Sequence, residues 1–200
     1  MDSALVVPAR VQSTTPLLKQ AAVNEDVALD PDDSAFCALT DFRFDYPITD
    51  GPDSSLDDAL ADMDRFGVHA LLVTLDDLDD LEHRVVGLLT QYDIERRNPH
   101  RYPGTEPRPH NGLRVADVMT PWNELSLVHY DSLADLTVAD LFERFQGTGL
   151  THLLVIEMRI DDSAVARGLI SRGALANSLR RKRSADSEAP IAEKQVQPPC

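Results

Sequence analysis

Apolar residues along this chain follow two spacings in alternation, and the alternation occurs twice. Leu56, Ala59, Leu60 and Met63 recur at i, i+3, i+4 and i+7, the stripe of an amphipathic helix. Val138, Leu141, Phe142 and Phe145 repeat that stripe. Each stripe runs into a short apolar block: "FGVHALLV" at 66–73 and "TGLTHLLV" at 148–155. Gly67, Leu71, Leu72 and Val73 of the first block match Gly149, Leu153, Leu154 and Val155 of the second. Continuous apolar runs this short, bounded by polar turns, predict buried strands. A second strand follows in each case, around Gly87 in "VVGLLTQYDI" and around Gly168 in "ARGLISRGAL", and leads into a further helix. The pattern is a duplicated helix, strand, hairpin, strand, helix.

Boundary residues agree with this. Ser54 or Ser55 caps the first long helix, with Asp57 and Asp58 in its first turn, where the macrodipole favours negative charge. Thr137 and Asp140 repeat the device. Gly67 and Gly149 stand where a left-handed residue closes a helix. "NPHRYPGTEPRPHNG" reads as a linker between copies, and the chain after Leu179 has too little apolar content to fold alone. Residues 1–35 read as irregular, with "PLLKQAAV" able to dock on the body. Each copy has about sixty residues, marginal by itself. Helices would cover one face of its small sheet, and pairing the copies would bury the other.

Composition narrows the function. A net charge of −15 disfavours duplex nucleic acid and anionic membrane surfaces, because phosphate contacts need clustered Lys and Arg. The same field opposes a nucleotide, so a phosphate site must be made locally. No apolar run reaches membrane-spanning length, and "MDSALVVP" lacks the features of a signal peptide. Cys37 and Cys200 have no metal-ligand spacing, and the expected setting is the reducing cytoplasm. The acidic "LDDLDDLEH" at 75–83 lacks the central Gly and alternating ligands of a calcium loop and reads as a solvated turn. Six scattered histidines give no metal site, no acid–base pair stands out, and nucleophile motifs such as G-x-S-x-G are missing. No catalytic residue and no cofactor is expected.

With the repeat established, two motifs carry a resemblance. "VADVMTPW" at 115–122 is similar to the Met-Thr-Pro turn that introduces many CBS motifs, and "GLLT" precedes a Thr-x-x-Asp helix start at Thr90 and Asp93. Over roughly residues 40–180 the chain resembles a tandem CBS pair, or Bateman module. The resemblance implies an α+β fold of two βαββα motifs packed as a pseudo-symmetric pair. It divides the chain into an irregular N-terminal arm (1–38), motif 1 (39–98), linker (99–114), motif 2 (115–180) and disordered tail (181–200). It further implies clefts for an adenosine-containing ligand: AMP, ADP, ATP or S-adenosylmethionine. Thr90 would meet phosphate, Asp93 would accept ribose hydroxyls, Leu88 would lie on the closing strand, and Leu127 and Val128 would form part of the adenine wall. His69 and His152 fall where some members place a basic residue. In the second copy Ser171 keeps the cap and Arg172 could meet an anion, but Ala174 replaces the carboxylate, so that cleft reads as degraded.

Physical chemistry supports such a site. Helix N-termini attract phosphate, and a charge-assisted bond from ribose hydroxyls to a carboxylate is worth about 1.5–3 kcal/mol. The plainer account is that Thr90 and Asp93 form a capping box and that Asp93 and Arg97 form an i,i+4 pair. The function expected is a non-enzymatic regulatory protein, a homodimer in which one pair stacks on another, signalling through dimer geometry or an unidentified protein partner. The alternative is a ligand-free structural or dimerisation module with degenerate clefts.

Overall fold

The computed structural model describes residues 9–12, 28–75, 82–97 and 112–188. The "PLLKQAAV" segment, the centre of the acidic 75–83 turn, nearly all of the proline-rich linker and Cys200 lie outside the described residues. The elements in order are β1 (Arg10–Gln12), β2 (Thr40–Asp41), β3 (Thr49–Asp50), α1 (Leu56–Phe66), β4 (Ala70–Leu75), β5 (Glu82–Thr90) and α2 (Gln91–Arg97). There follow α3 (Val115–Val118), β6 (Thr120–Pro121), β7 (Leu127–His129), α4 (Val138–Phe145), β8 (His152–Met158), β9 (Ala164–Ser171) and α5 (Arg172–Glu188). Thus β3-α1-β4-β5-α2 and β7-α4-β8-β9-α5 are two copies of one βαββα unit. In both, the first two strands are parallel and the last two antiparallel, with a register shift after Val73 in one and after Val155 in the other.

Strand alternation explains the doubled leucines. Leu71 and Val73 face α1 in a core with Leu56, Ala59, Met63, Leu89 and Ile94, whereas Leu72 points the other way. Leu153 and Val155 likewise face α4, and Leu154 points away. Leu72, Leu88, Leu154 and Ile156 meet in a third cluster shared by the copies. Each sheet therefore buries its second face against the other copy.

The segment leading into each copy packs on its twin. β6 pairs antiparallel with β5, and Val115 and Val118 of α3 fill the first copy's helix-side core. Conversely β2 pairs with β9, and Leu29, Ala35 and Leu39 fill the second copy's core. Gly87 and Gly168 make the two crossings possible. A Cβ on Gly168 would lie 2.2 Å from the Thr40 carbonyl oxygen, and one on Gly87 would lie 2.8 Å from that of Thr120.

Capping follows the sequence in most places. Ser55 caps α1 and Gly67 closes it at φ 65°. Thr137 and Asp140 form a capping box on α4. The second copy differs at its stop: α4 ends at Phe145, and the left-handed residue is Gly147 (φ 69°), not Gly149. "FQGTGL" offers two glycines, and the earlier one takes the turn. Two further features were not expected. The arm supplies β1, which pairs with both β5 and β9 and joins the half-sheets in the order β3-β4-β5-β1-β9-β8-β7. α5 runs on to Glu188, well into the segment expected as tail, since no helix breaker precedes Pro190.

Candidate functional site

Thr90 ends β5 and begins α2. Its side chain is buried, and its Oγ1 accepts the Asp93 N–H at 3.1 Å. In return the Thr90 backbone N–H and hydroxyl donate to Asp93 Oδ2 at 3.2 and 2.6 Å. The same reciprocal set links Thr137 and Asp140, where the carboxylate again takes the backbone N–H and hydroxyl, both at 2.8 Å. Asp140 is held below the usual carboxylate range by those bonds. Asp93 therefore performs a capping task used elsewhere in the fold, through one of its two carboxylate oxygens. The Arg97 side chain lies outside the described residues.

The other candidate residues separate by strand face. Leu88 and Leu127 enter the shared layer together, beside Ala70 and Leu169. Val128, the next residue on β7, points to the opposite side and is buried in the second copy's helix-side core with Val138 and Leu141. It cannot form an inter-copy wall, because adjacent strand residues face opposite ways. In the second copy Ser171 Oγ accepts the Ala174 N–H at 3.4 Å, while Arg172 is exposed and its backbone N–H donates to Thr151 O at 2.9 Å.

His69 immediately precedes β4 and His152 opens the equivalent strand β8, and the structure brings them within electrostatic range of one another. Burial, and then the charge of His69, push the His152 imidazole down to about 4. His152 Nδ1 lies 3.0 Å from Thr151 Oγ1, and His69 Nδ1 lies 2.8 Å from Gln91 Oε1. Two polar rings, one from each copy, thus stand near the starts of α2 and α5.

A separate cavity of about 810 Å³ opens at the hairpin end of the second copy, between the 42–47 segment and the strands β8 and β9. Phe42, Tyr46, Met158, Val165 and Ala166 give it apolar walls, and its charged lining is mixed, Arg43, Arg159 and Arg167 standing with Glu157 and Asp161. Arg43 and Arg167 both lie over the Tyr130 ring, at 5.2 and 5.1 Å from its centroid. Burial would raise the Asp41 carboxyl, but its bonds from Arg43 and the nearby Arg167 hold it below its usual value. Arg167 also pairs with Glu157 at 3.1 Å, yet its buried Nε has no hydrogen-bond partner among the described residues. Sequence reading missed this group. Its one available signal was basic residues beside aromatics in a strongly acidic chain.

Residues 41–98 match the family model of the CBS domain. The match covers the first copy, which is similar to a CBS domain. The second copy repeats the fold of the matched CBS domain strand for strand. Among solved structures, an uncharacterised conserved protein from Pyrococcus horikoshii is 22% identical over 78% of this chain and 96% of its own, with a TM-score of 0.49. CBSX2 from Arabidopsis thaliana in complex with AMP is 19% identical over 76% and 98%, TM-score 0.46. The CBS domain of a bacterial CNNM/CorC family Mg2+ transporter in complex with ATP is 15% identical over 75% and 89%, TM-score 0.48. No curated protein matches the chain in a sequence comparison. No helix among the described residues is long and apolar enough to cross a membrane, and no group of three or more His, Cys, Asp or Glu among them could hold a metal ion.

Proposed function

We propose that this protein is a non-enzymatic regulatory CBS module that binds an adenosine-containing ligand (AMP, ADP, ATP or S-adenosylmethionine) between its copies. The approach of His69 and His152, one from each copy, carries this reading. It sets two polar rings near the starts of α2 and α5, where His152, pushed down to about 4, is neutral at neutral pH and offers hydrogen bonds, and the free N–H groups of the helix starts favour an anion inside a chain of net charge −15. In this reading phosphate lies by the histidines and Thr90, the ribose bonds the second Asp93 oxygen, and the base rests against Leu88 and Leu127. The ligand touches both copies, so it favours the arrangement in which they are close, by its difference in affinity between arrangements. The output passes to a protein partner or through the geometry of a homodimer.

One observation favours the rival, a ligand-free assembly module. The bonds of Asp93 match those of Asp140, so a capping role alone explains why a carboxylate stands there. Calorimetry with the four ligands separates the two. The sensor reading expects binding by the parent, weakened about tenfold to a hundredfold by Asp93→Ala and unchanged by Asp140→Ala. Absence of heat with all four ligands leaves the assembly module.

A further inference from the structure

We propose that the apolar mouth of the 810 Å³ cavity is the seat of this chain's own residues 4–7, "ALVV", which dock there as an intramolecular strap. Of the large apolar side chains left exposed among the described residues, Tyr46 (53%), Met158 (48%) and Ile160 (107%) all line this one cavity. Apolar side chains gathered in this way mark an interaction surface. The charged groups around them are already engaged within the chain. Asp41 binds Arg43, Glu157 binds Arg167, and Asp161 accepts the backbone N–H and hydroxyl of Ser163 at 3.0 and 2.6 Å. What is left uncovered is apolar, so the occupant that fits is apolar and uncharged.

Chain connectivity selects the occupant. β1 runs parallel to β9 with Arg10 opposite Val165, which lines the cavity, so Ala9 stands beside Ala164 and the chain enters β1 from the side of the 159–163 turn. The edge of β5 offers no other course, because β6 already pairs there with Gly87 and Leu88, and Pro8 has no N–H with which to extend a ladder. Met158 pairs with Ala164 and so lies two strand spacings, about 10 Å, from Ala9. Residues 4–8 span about 16 Å when extended. The longer apolar stretch "PLLKQAAV" carries a lysine and follows Gln12, which pairs with Glu82 at the opposite end of β1. "ALVV" brings three branched apolar side chains and no charge. Neither Thr90 nor either of His69 and His152 lines this cavity, so the docking is independent of the nucleotide reading.

Methyl-detected nuclear magnetic resonance on the full chain is the test. The parent is expected to show through-space contacts from the methyl groups of Leu5, Val6 or Val7 to those of Met158 and Ile160. The triple variant Leu5→Ser, Val6→Ser, Val7→Ser changes no described residue. It should abolish those contacts and shift the Met158 and Ile160 methyl signals, while the Leu154 methyls in the shared layer stay where they were. A chemical readout runs beside it: Ile160→Cys, with Cys37→Ser and Cys200→Ser, should react with N-ethylmaleimide about tenfold faster once the three serines are present. A parent without the contacts, or equal thiol rates with and without the serines, overturns the strap. Mixing isotope-labelled with unlabelled chains identifies the source. Contacts within one chain support the strap, and contacts between chains, from the arm or the patch of a second copy, overturn it.

Discussion

Acid should loosen this protein through His152 before it reaches the carboxylates. The imidazole sits at about 4 in the fold against 6.5 for a free side chain. Its folded value is lowered, so the neutral ring contributes stability in full above pH 6.5, and that contribution is lost as pH falls towards 4. At 1.36 kcal/mol per unit, the whole window is worth about 3 kcal/mol, and about 2.5 kcal/mol of it is gone by pH 4.5. The perturbation is His152→Gln, which keeps a polar side chain and removes the titration. The assay is urea unfolding of parent and variant at pH 7.5 and 4.5, compared as differences so that other titrating groups cancel. The parent should lose about 2–3 kcal/mol more than the variant between the two pH values. Equal losses refute the reasoning, because they mean that the ring is free to take a proton where the two copies meet.

Three other outcomes follow from the packing. Gly168→Ala should destabilise by about 3 kcal/mol or more, since the new methyl meets the Thr40 carbonyl oxygen at 2.2 Å and backbone cannot step aside; Gly87→Ala should cost less, because its backbone clash with the Thr120 carbonyl oxygen is milder at 2.8 Å and Met119 can move, and thermal melts of the two rank them. Thr137→Ala removes a cap and should cost about 1 kcal/mol in a urea titration, with Thr90→Ala costing at least as much because its side chain is buried. Leu154→Ala hollows the layer shared by the copies and should cost about 2–5 kcal/mol while leaving one cooperative transition; two separate transitions would mean that the copies fold independently.

The duplication was legible because its signals are local. Stripes at helical spacing, doubled leucines and the Thr137 cap each depend on a few neighbouring residues, and each appears in the structure where the pattern places it. The crossings of β2 and β6 were not legible, because they pair residues from opposite copies and the only local trace is a glycine in each closing strand. β1 was hidden for the same reason: "ARVQ" carries no strand pattern of its own, and its place is set by the open edges of β5 and β9. At the candidate site, "Thr-x-x-Asp" named the right helix start, but spacing alone could not tell a ribose acceptor from a cap. Val128 failed as a wall residue because period-two alternation on β7 lets only one of two adjacent residues face the other copy, and the paired sequence "LV" does not say which.

The central claim is that one adenosine ligand touches both copies at once. Nuclear magnetic resonance of the labelled chain, titrated with AMP, ADP, ATP and S-adenosylmethionine in turn, tests it most directly. The account predicts that at least one ligand shifts the amides of His69, Thr90 and Asp93 together with those of Leu127 and His152, all along a single binding curve. Shifts confined to one copy, or none with any of the four, contradict it.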